Sequence, residues 1–351
     1  MPSQARSAAR SFLQYDVFTG EPLLGNQLAV FTDARGLDGS MMQRIAREMN
    51  FPESTFILPV EWAGTDIRMR IFTPAVEMPM AGHPTIGSTF ALAEIGVITP
   101  ETRRFIFHLN AGPTPVELEW ADNRLAFAWM TQPNPVFGRI VDDRAAVAAT
   151  IGLTPEDLLP DIPVQEVSCA VPFLYVPLRD PEIVDRAISD AGAFKRLAAA
   201  TGVDLPVFLF ALDRVDAHGA DLVRSATVGL ASLSPRATGS SLAGSASADP
   251  PVSIYSRMFA PEFGIIEDPA TGIASGALGC YLVRYGLITP AAARSIVSHQ
   301  GVAMGRASQI HISISVTGDA NVREGSAGPV IISDVKVGGE AVLVARGELL
   351  L

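Results

Sequence analysis

The chain has 351 residues, of which 48% are hydrophobic and 18% charged, and its formal net charge is −11 at pH 7. This length fits two domains of roughly 100–200 residues each. The acidic balance argues against a nucleic-acid partner, because nucleic-acid binding depends on Lys and Arg that neutralise phosphates. No apolar run reaches the roughly 18 residues that a membrane span requires, so we expect no membrane association.

The N-terminus and the cysteines indicate the cellular compartment. Residues 1–10 are rich in Ala, Ser and Arg and lack the apolar stretch of a signal peptide. The two cysteines, Cys169 and Cys280, are too few for a disulfide framework or for a metal site with the usual number of ligands. We therefore expect a cytoplasmic protein that holds no metal.

The first part of the chain predicts many short strands and two helices. Segments rich in Val, Ile and Phe are typical of strands, and they occur at Phe12–Phe18, Gln27–Thr32, Thr55–Pro59, Ile67–Thr73, Arg104–Leu109, Val116–Trp120 and Leu125–Met130. A helix is predicted over Ser40–Met49. A second, over Thr85–Ile95, has small and apolar residues around most of its circumference, which indicates a helix buried on nearly all sides.

The second part of the chain repeats this pattern. Helices are predicted over Asp142–Ile151 and Pro181–Ala200, and a second apolar helix over Ala270–Tyr285. Strands are predicted at Phe173–Leu178, Val207–Leu212, Val252–Phe259, Gln309–Val316, Val330–Val337 and Ala341–Arg346. The segment Ser232–Pro251 is rich in Ser, Gly, Ala and Pro, and we expect a flexible inserted loop there.

A domain boundary is expected near Gln132-Pro133-Asn134-Pro135. The first domain would cover residues 1–131 and be completed by the C-terminal strand 341–351. The second would cover residues 132–340 and contain the insert 232–251.

A repeated series of motifs relates the two parts. The first copy runs Phe72-Thr73-Pro74, His83-Pro84-Thr85-Ile86-Gly87, an apolar segment, and Gly96-Val97-Ile98-Thr99-Pro100. The second runs, in the same order, Phe259-Ala260-Pro261, Asp268-Pro269-Ala270-Thr271-Gly272, an apolar segment, and Gly286-Leu287-Ile288-Thr289-Pro290. Pro84 and Pro269 suit the first helical position, and Gly96 and Gly286 suit the residue after a helix end. We expect a duplicated unit, in which a curved, largely antiparallel sheet wraps one central helix.

Both predicted central helices begin beside polar residues. The loop Met80-Ala81-Gly82-His83 precedes one, and Glu267-Asp268 precedes the other. Helix N-termini present free N–H groups and positive potential, which favour an anion. Two such ends that converge between the halves would hold a carboxylate substrate or a developing enolate. The alternative is that His83 and Asp268 only cap their helices, a role that suits Asp better than His.

Glu53 is a further candidate. It lies in Asn50-Phe51-Pro52-Glu53-Ser54-Thr55-Phe56, between a predicted helix and an apolar strand. Apolar neighbours desolvate a carboxylate and raise its pKa, which allows the group to act as acid and base near neutral pH. The alternative is an exposed loop glutamate, and from the residues alone that interpretation is favoured.

Several motifs in their order resemble the PhzF-like phenazine-biosynthesis family. They are Asp16-Val17-Phe18, Gly25-Asn26-Gln27-Leu28-Ala29-Val30, the Glu53 segment above, Phe72-Thr73-Pro74, Ala81-Gly82-His83-Pro84-Thr85-Ile86-Gly87, Phe259-Ala260-Pro261 and Glu267-Asp268-Pro269-Ala270-Thr271-Gly272. The later pieces Gln300-Gly301, Met304-Gly305-Arg306 and Gly338-Gly339-Glu340-Ala341 are similar as well. The resemblance implies an α+β protein with the diaminopimelate epimerase-like fold, in which two pseudo-symmetric domains each wrap a β-barrel-like sheet around a central helix.

The resemblance also implies an activity, a cofactor-free isomerisation of a dihydro-hydroxyanthranilate. The catalytic glutamate of the family falls on Glu53, which would take a proton from one substrate carbon and return it to another. The helper histidine falls on His83 and the helper aspartate on Asp268. We expect a small carboxylate-bearing substrate and a homodimer, with no cofactor.

The matched motifs assign substrate binding to Asn26, Gly82, Gly272 and Ile273. Family members usually have Ser at the position of Ile273, where its hydroxyl helps to hold the substrate carboxylate. The backbone N–H groups of Gly272 and Ile273 remain available to an anion, but the bulky side chain calls the phenazine substrate into question.

Two other functions stay open from the sequence. One is a catalytically altered member that binds a small acid. The other is an amino-acid racemase or epimerase. Related epimerases use one cysteine at each helix end, whereas the matching loops here carry Ala81 and Asp268, so a two-thiol mechanism is not expected.

Overall fold

The computed structural model describes residues 9–212, 250–317 and 331–351. Residues 1–8 and nearly all of the expected flexible insert 232–251 lie outside the described residues. Among the described residues, no helix has both the length and the apolar character needed to cross a membrane.

The described residues of the first half form eight strands and two helices. In chain order they are β1 (Ala9–Val17), β2 (Asn26–Phe31), α1 (Gly39–Met49), β3 (Glu53–Leu58), β4 (Ile67–Phe72), β5 (Glu77–Met78), α2 (Gly82–Glu94), β6 (Arg104–Leu109), β7 (Gly112–Ala121) and β8 (Arg124–Gln132).

The described residues of the second half form four helices and the remaining strands. They are β9 (Val136–Ile140), α3 (Arg144–Thr150), β10 (Gln165–Ser168), β11 (Pro172–Pro177), α4 (Pro181–Arg186), α5 (Ala191–Thr201), β12 (Val207–Leu212), β13 (Val252–Ala260), β14 (Ile265–Asp268), α6 (Gly272–Arg284), β15 (Ile296–Gln300), β16 (Ser308–Thr317), β17 (Ile331–Gly339) and β18 (Ala341–Leu350).

Strand pairing follows one plan in both halves. β2 and β3 are parallel, β4 is antiparallel to β3 and β5, β4 and β6 are parallel, and β6, β7 and β8 form an antiparallel meander. β11 to β17 repeat every step in the same order, with β13 and β15 as the second parallel crossover pair. The predicted duplication and the mixed α+β class are therefore confirmed.

Each half also carries the same trio of side chains, in which an arginine pairs with a glutamate of the next strand and lies over a phenylalanine ring. The trios are Arg70, Glu77 and Phe72 in the first half, and Arg257, Glu267 and Phe259 in the second. The arginine–glutamate N–O distance is 2.7 Å in both. The guanidinium carbon lies 5.1 Å from the ring centre in one half and 4.9 Å in the other.

The halves are joined by the pairing of β17 with β8, and the chain then returns to the first half through β18. β18 is antiparallel to β1 from Ala9–Leu350 to Val17–Ala341, and β17 is antiparallel to β8. β8 ends at Gln132 and β9 begins at Val136. We propose the division into residues 1–131, completed by 341–351, and residues 132–340.

The two central helices form the middle of the core. Every residue of α2 from Gly82 to Leu92, and every residue of α6 from Gly272 to Val283, is buried. Both helices lie within one apolar cluster that includes residues of both halves. Each is followed by a glycine with positive φ, Gly96 at 76° and Gly286 at 63°, as the sequence predicted.

The predicted helix starts were wrong. α2 begins at Gly82 and α6 at Gly272, so Pro84 is the third residue of its helix and Pro269 precedes its helix by three residues. Proline is tolerated at the third helical position because the first-turn N–H groups have no partner within the helix, and Pro269 lies outside its helix.

The single helix predicted over Pro181–Ala200 was also wrong, since two helices occupy this segment. α4 ends at Arg186, and Ala187 is extended with ψ 137°. The side chain of Asp190 then caps α5 by accepting hydrogen bonds from the backbone N–H groups of Gly192 and Ala193. An aspartate in this position starts a new helix rather than continuing the old one.

Candidate active site

The N-termini of α2 and α6 meet at close range. A Cβ atom added to Gly82 would lie 2.8 Å from the Cα atom of Gly272 and from the backbone nitrogen of Ile273. A Cβ atom on Gly272 would lie 2.8 Å from the ring of Phe18. Only glycine allows the two backbones to approach this closely, so the two glycine positions set the distance between the helix ends.

Neither helix end is capped by the side chain of its N-cap residue. Ala81 has no polar side chain, and the Thr271 hydroxyl donates to Asp268 instead, at 2.6 Å. His83 is the second residue of α2, and Asp268 lies four residues before α6, so the capping interpretation of these two residues is wrong. The first-turn N–H groups are therefore free of a capping side chain and create positive potential between the halves.

Glu53 is the first residue of β3 and is buried, with 11% of its side chain exposed. The interpretation as an exposed loop glutamate is therefore wrong. Its Oε2 atom lies 3.3 Å from Nδ1 of His83. Burial raises the pKa of Glu53 well above its ordinary value, and the nearby charge of Asp268 raises it further. The carboxyl group can thus hold and release a proton nearer to neutral pH than an exposed glutamate does.

His83 supplies a neutral ring beside this carboxyl. Burial lowers its pKa to about 3, against a smaller raising effect of a hydrogen bond with the backbone of Gln27. Nε2 has no hydrogen-bond partner within the described part of the chain. Depending on its tautomer, a neutral imidazole accepts a hydrogen bond at Nδ1 from protonated Glu53 or donates one to the ionised carboxylate.

Asp268 ends β14 and is buried. Burial raises its pKa to about 6, while hydrogen bonds from the side chains of Thr271 and Asn26 lower it and the charge of Glu267 raises it. The side-chain amide of Gln300 donates to the Asp268 carbonyl oxygen at 2.8 Å and to the Thr271 hydroxyl at 2.9 Å. These bonds fix the orientation of the second carboxyl group.

Asn26, at the start of β2, joins the two halves of the site. Its amide nitrogen donates to Oδ1 of Asp268 and to the carbonyl oxygen of Ala270, both at 2.9 Å, and lies 3.3 Å from Nδ1 of His83. Asn26 is fully buried. Because its two amide protons are occupied by protein acceptors, Asn26 orders the site groups rather than presenting donors to an open cavity.

Gly82, Gly272 and Ile273 lie together at the helix ends. Ile273 is buried, with 7% exposed, and belongs to the main apolar cluster. It offers no hydroxyl group there, so an anion at this place meets backbone N–H groups and an apolar side chain. Gln132 supports the same end, because its amide donates to the carbonyl oxygen of Gly272 at 3.0 Å.

A cleft of about 750 Å³ opens onto Asp268 between the halves. Its lining includes apolar side chains from both, namely Phe51, Pro52, Pro74, Phe263, Ile265, Ile266 and Met304. Arg47 also lines the cleft and donates through Nε to the Pro74 carbonyl oxygen at 3.3 Å. Glu267 lines it too, but its carboxylate is neutralised by Arg257, whose Nη2 atom lies 2.7 Å from Oε2 of Glu267. The cleft therefore suits a small molecule with an apolar body and a negative charge.

Other chemistries lack the necessary groups in the described residues. No group of three or more His, Cys, Asp and Glu side chains that suits a metal ion occurs there. Cys169 and Cys280 are buried thiols. Cys280 is eight residues into α6, about 12 Å along the helix from its N-terminus, so it does not occupy the place of a thiol at a helix end.

The comparisons with known proteins agree with this geometry. The family model for phenazine biosynthesis-like proteins, PhzC-PhzF, matches residues 15–212 and 234–347. An uncharacterised isomerase of Mesorhizobium japonicum is 32% identical over 97% of this chain and 99% of its own length. The trans-2,3-dihydro-3-hydroxyanthranilate isomerase of Pseudomonas aeruginosa is 30% identical over 97% and 99%.

The fold is shared as well. The crystal structure of a PhzF-family phenazine biosynthesis protein from Bacillus anthracis is 25% identical, with a TM-score of 0.73 over 98% of this chain and 100% of that chain. The diaminopimelate epimerase-like fold expected from the sequence is confirmed. The chain belongs to the phenazine biosynthesis-like PhzF family and is an isomerase of that family.

Proposed function

We propose that this protein isomerises a small carboxylate-bearing substrate by moving a proton between two of its carbon atoms, with Glu53 as the acid–base group. One observation carries the proposal: the buried Glu53 carboxyl group, with its raised pKa, contacts neutral His83 beside two uncapped helix N-termini. A base and an anion-stabilising region thus lie side by side.

The chemistry follows from these groups. Ionised Glu53 removes a proton from a carbon next to a carboxylate or an electron-poor alkene, and the electron pair moves into the substrate as an enolate-like anion. The free N–H groups at the starts of α2 and α6 stabilise that charge, as fixed donors do in an oxyanion hole. Protonated Glu53 then returns its proton to a second carbon, so the net reaction is an isomerisation that consumes no co-substrate.

Asp268 and His83 adjust this carboxyl group. The negative charge of Asp268 raises the pKa of Glu53, which makes it a stronger base. The neutral ring of His83 binds Glu53 in either protonation state without fixing a positive charge that would lower its pKa. Both effects favour a pKa of Glu53 above its ordinary value, which is the direction that general acid–base catalysis near neutral pH requires.

The substrate is expected to be cyclic and to carry a carboxylate. Curated relatives are named for trans-2,3-dihydro-3-hydroxyanthranilate, so this compound is the first candidate. Ile273 offers no hydroxyl group to its carboxylate, and the cleft that opens onto Asp268 is lined by apolar side chains of both halves. We therefore expect turnover of a related acid in preference to the phenazine precursor itself.

Incubation in deuterated water with trans-2,3-dihydro-3-hydroxyanthranilate, other unsaturated cyclic acids and amino acids tests the proposal. Deuterium at a ring carbon, detected by NMR, supports the isomerase. Exchange at the Cα atom of an amino acid that is lost in a C169S/C280S double variant would instead support a two-thiol racemase. Binding of an acid without any exchange across the panel would support the small-acid binding protein.

A further inference from the structure

Arg306 fastens the segment that leads into Asn26. Its Nε atom donates to the carbonyl oxygen of Gly25 at 2.8 Å, and Nη2 donates to that of Leu24 at 2.7 Å. Nη2 also lies 2.7 Å from Oδ1 of Asp16, a carboxylate that is only 1% exposed. One guanidinium group thus binds Asp16, Leu24 and Gly25 of the first half, although it comes from the second half.

The segment held by Arg306 has little freedom of its own. Gly25 has φ 63°, and a Cβ atom there would lie 2.4 Å from the carbonyl oxygen of Val17. The N–H group of Gly25 donates to the carbonyl oxygen of Ala307 at 3.1 Å. The second oxygen of Asp16 accepts from the N–H group of Leu23 at 2.7 Å. Arg306 and Asp16 therefore close a ring of bonds around residues 23–25.

We propose that Arg306 is a positioning residue that sets the Asn26 amide between His83 and Asp268. The role of these groups in catalysis rests on the function proposed above. The Gly25 carbonyl oxygen that Arg306 binds belongs to the peptide bond of Asn26, so the position of the guanidinium fixes the start of β2. From there a single amide nitrogen reaches acceptors of both halves. Arg306 approaches from the second half, so it also holds the two halves in register.

Lysine cannot replace this contact. A guanidinium group is a planar fork with five N–H donors, whereas an ammonium group is a compact point charge. R306K keeps the ion pair with Asp16 but cannot also bind two carbonyl oxygens at their present places. The expected result is a folded protein with a displaced Asn26, and a displacement of about 1 Å is enough to reduce turnover by a factor on the order of 100.

Arg68 provides a matched control. Its side chain is 9% exposed, against 22% for Arg306, and it donates to the carbonyl oxygens of Met69 and His108, both at 2.8 Å. None of its hydrogen-bond partners belongs to the candidate site. R68K is therefore expected to lower the thermal midpoint while leaving kcat within about twofold of wild type.

The experiment measures two quantities in wild type, R306K and R68K. The first is kcat and KM for isomerisation of trans-2,3-dihydro-3-hydroxyanthranilate, and we expect R306K to lower kcat at least about tenfold with a smaller change in KM. The second is the titration of Asp268 followed by ¹³C NMR of labelled aspartate, assigned with D268N. The Asn26 hydrogen bond lowers the pKa of Asp268, so R306K should move that titration upward from about 6, whereas R68K should not.

A double variant, D16N/R306M, separates positioning from stability. R306M alone would leave Asp16 buried without a partner, and removing both charges avoids this, so the thermal midpoint should recover relative to R306M, while kcat and the Asp268 titration should stay altered. An Asp268 titration at its wild-type position in both R306K and D16N/R306M would overturn the proposal, as would recovery of kcat together with the thermal midpoint. The titration needs no turnover, so it decides the matter even if the isomerase function itself fails.

Discussion

Replacing Asp268 by asparagine should stabilise the folded protein at neutral pH and lose that advantage in acid. Burial raises the pKa of Asp268 from 3.8 to about 6. One pKa unit corresponds to about 1.4 kcal/mol, so ionisation of this carboxyl group costs the folded state about 3 kcal/mol. The folded state binds this proton more tightly than the unfolded state. The stability that protonated Asp268 contributes to the wild type is therefore fully present below the unfolded pKa of 3.8 and is lost as the pH rises through about 6.

The loss of a local hydrogen bond offsets part of the stability that D268N gains at neutral pH. The Thr271 hydroxyl accepts from Gln300 at 2.9 Å and donates to Asp268 at 2.6 Å. In D268N an amide N–H₂ group faces this hydroxyl, whose proton then has no acceptor, at a cost of about 1 kcal/mol. That cost does not depend on pH. We therefore expect D268N to be about 2 kcal/mol more stable near pH 7.5 and slightly less stable near pH 4.

Urea unfolding of wild type and D268N at these two pH values measures the effect. The difference in the free energy of unfolding should grow by roughly 2–3 kcal/mol from the lower to the higher pH. D122N, at an exposed aspartate in the turn between β7 and β8, is the control and should show no such growth. An equal difference for D268N at both pH values would refute the reasoning that Asp268 is destabilised by its buried charge.

Three further predictions follow from the site. The value of kcat/KM should rise with pH as the carboxyl groups ionise. H83N should lower the plateau of this pH profile without moving its midpoint, because the pKa of His83 is about 3 and its ring is already neutral. Steady-state kinetics from about pH 5 to 9 check this, and a shifted midpoint would contradict it. I273S should tighten binding of aromatic carboxylates several-fold, because it adds a hydroxyl donor at the start of α6. Titration calorimetry measures this affinity, and an unchanged value would mean that the ligand carboxylate binds elsewhere. G82A should destabilise the protein by about 1–3 kcal/mol and abolish turnover, because its Cβ atom would lie 2.8 Å from the backbone of Gly272; normal turnover would mean that the helix ends need not touch.

Local patterns predicted the main helices and most of the strands. The central helices α2 and α6 were evident because nearly every residue is small or apolar and a glycine follows each end. Five short strands, β5, β9, β10, β14 and β15, were missed, because strands of two to five residues show little alternation and exist through pairing with their neighbours. The helix starts were misplaced because the first turns begin at Gly82 and Gly272, whereas the sequence pattern predicts Pro84 and Pro269 at the first helical position.

The site needed more than local patterns. Apolar neighbours pointed to a desolvated Glu53, but the residues alone favoured an exposed loop glutamate. Its burial results from parallel pairing with Leu28, 25 residues earlier. The contact between Asn26 and Asp268 joins residues 242 positions apart, and no periodicity signals it. The second half also offers no equivalent of Glu53. Ser54 pairs with Phe72 as Val207 pairs with Phe259, so the matching residue is Pro206, which cannot carry a proton.

The role of Glu53 is tested most directly by comparing wild type with E53Q in deuterated water. Glutamine keeps the shape of the side chain and its contact with His83 but cannot take up a proton from carbon. With a substrate that wild type isomerises, we predict that E53Q loses both isomerisation and the incorporation of deuterium at carbon, while it still binds the substrate in titration calorimetry. Deuterium incorporation by E53Q at the wild-type rate would contradict the assignment of Glu53 as the group that moves the proton.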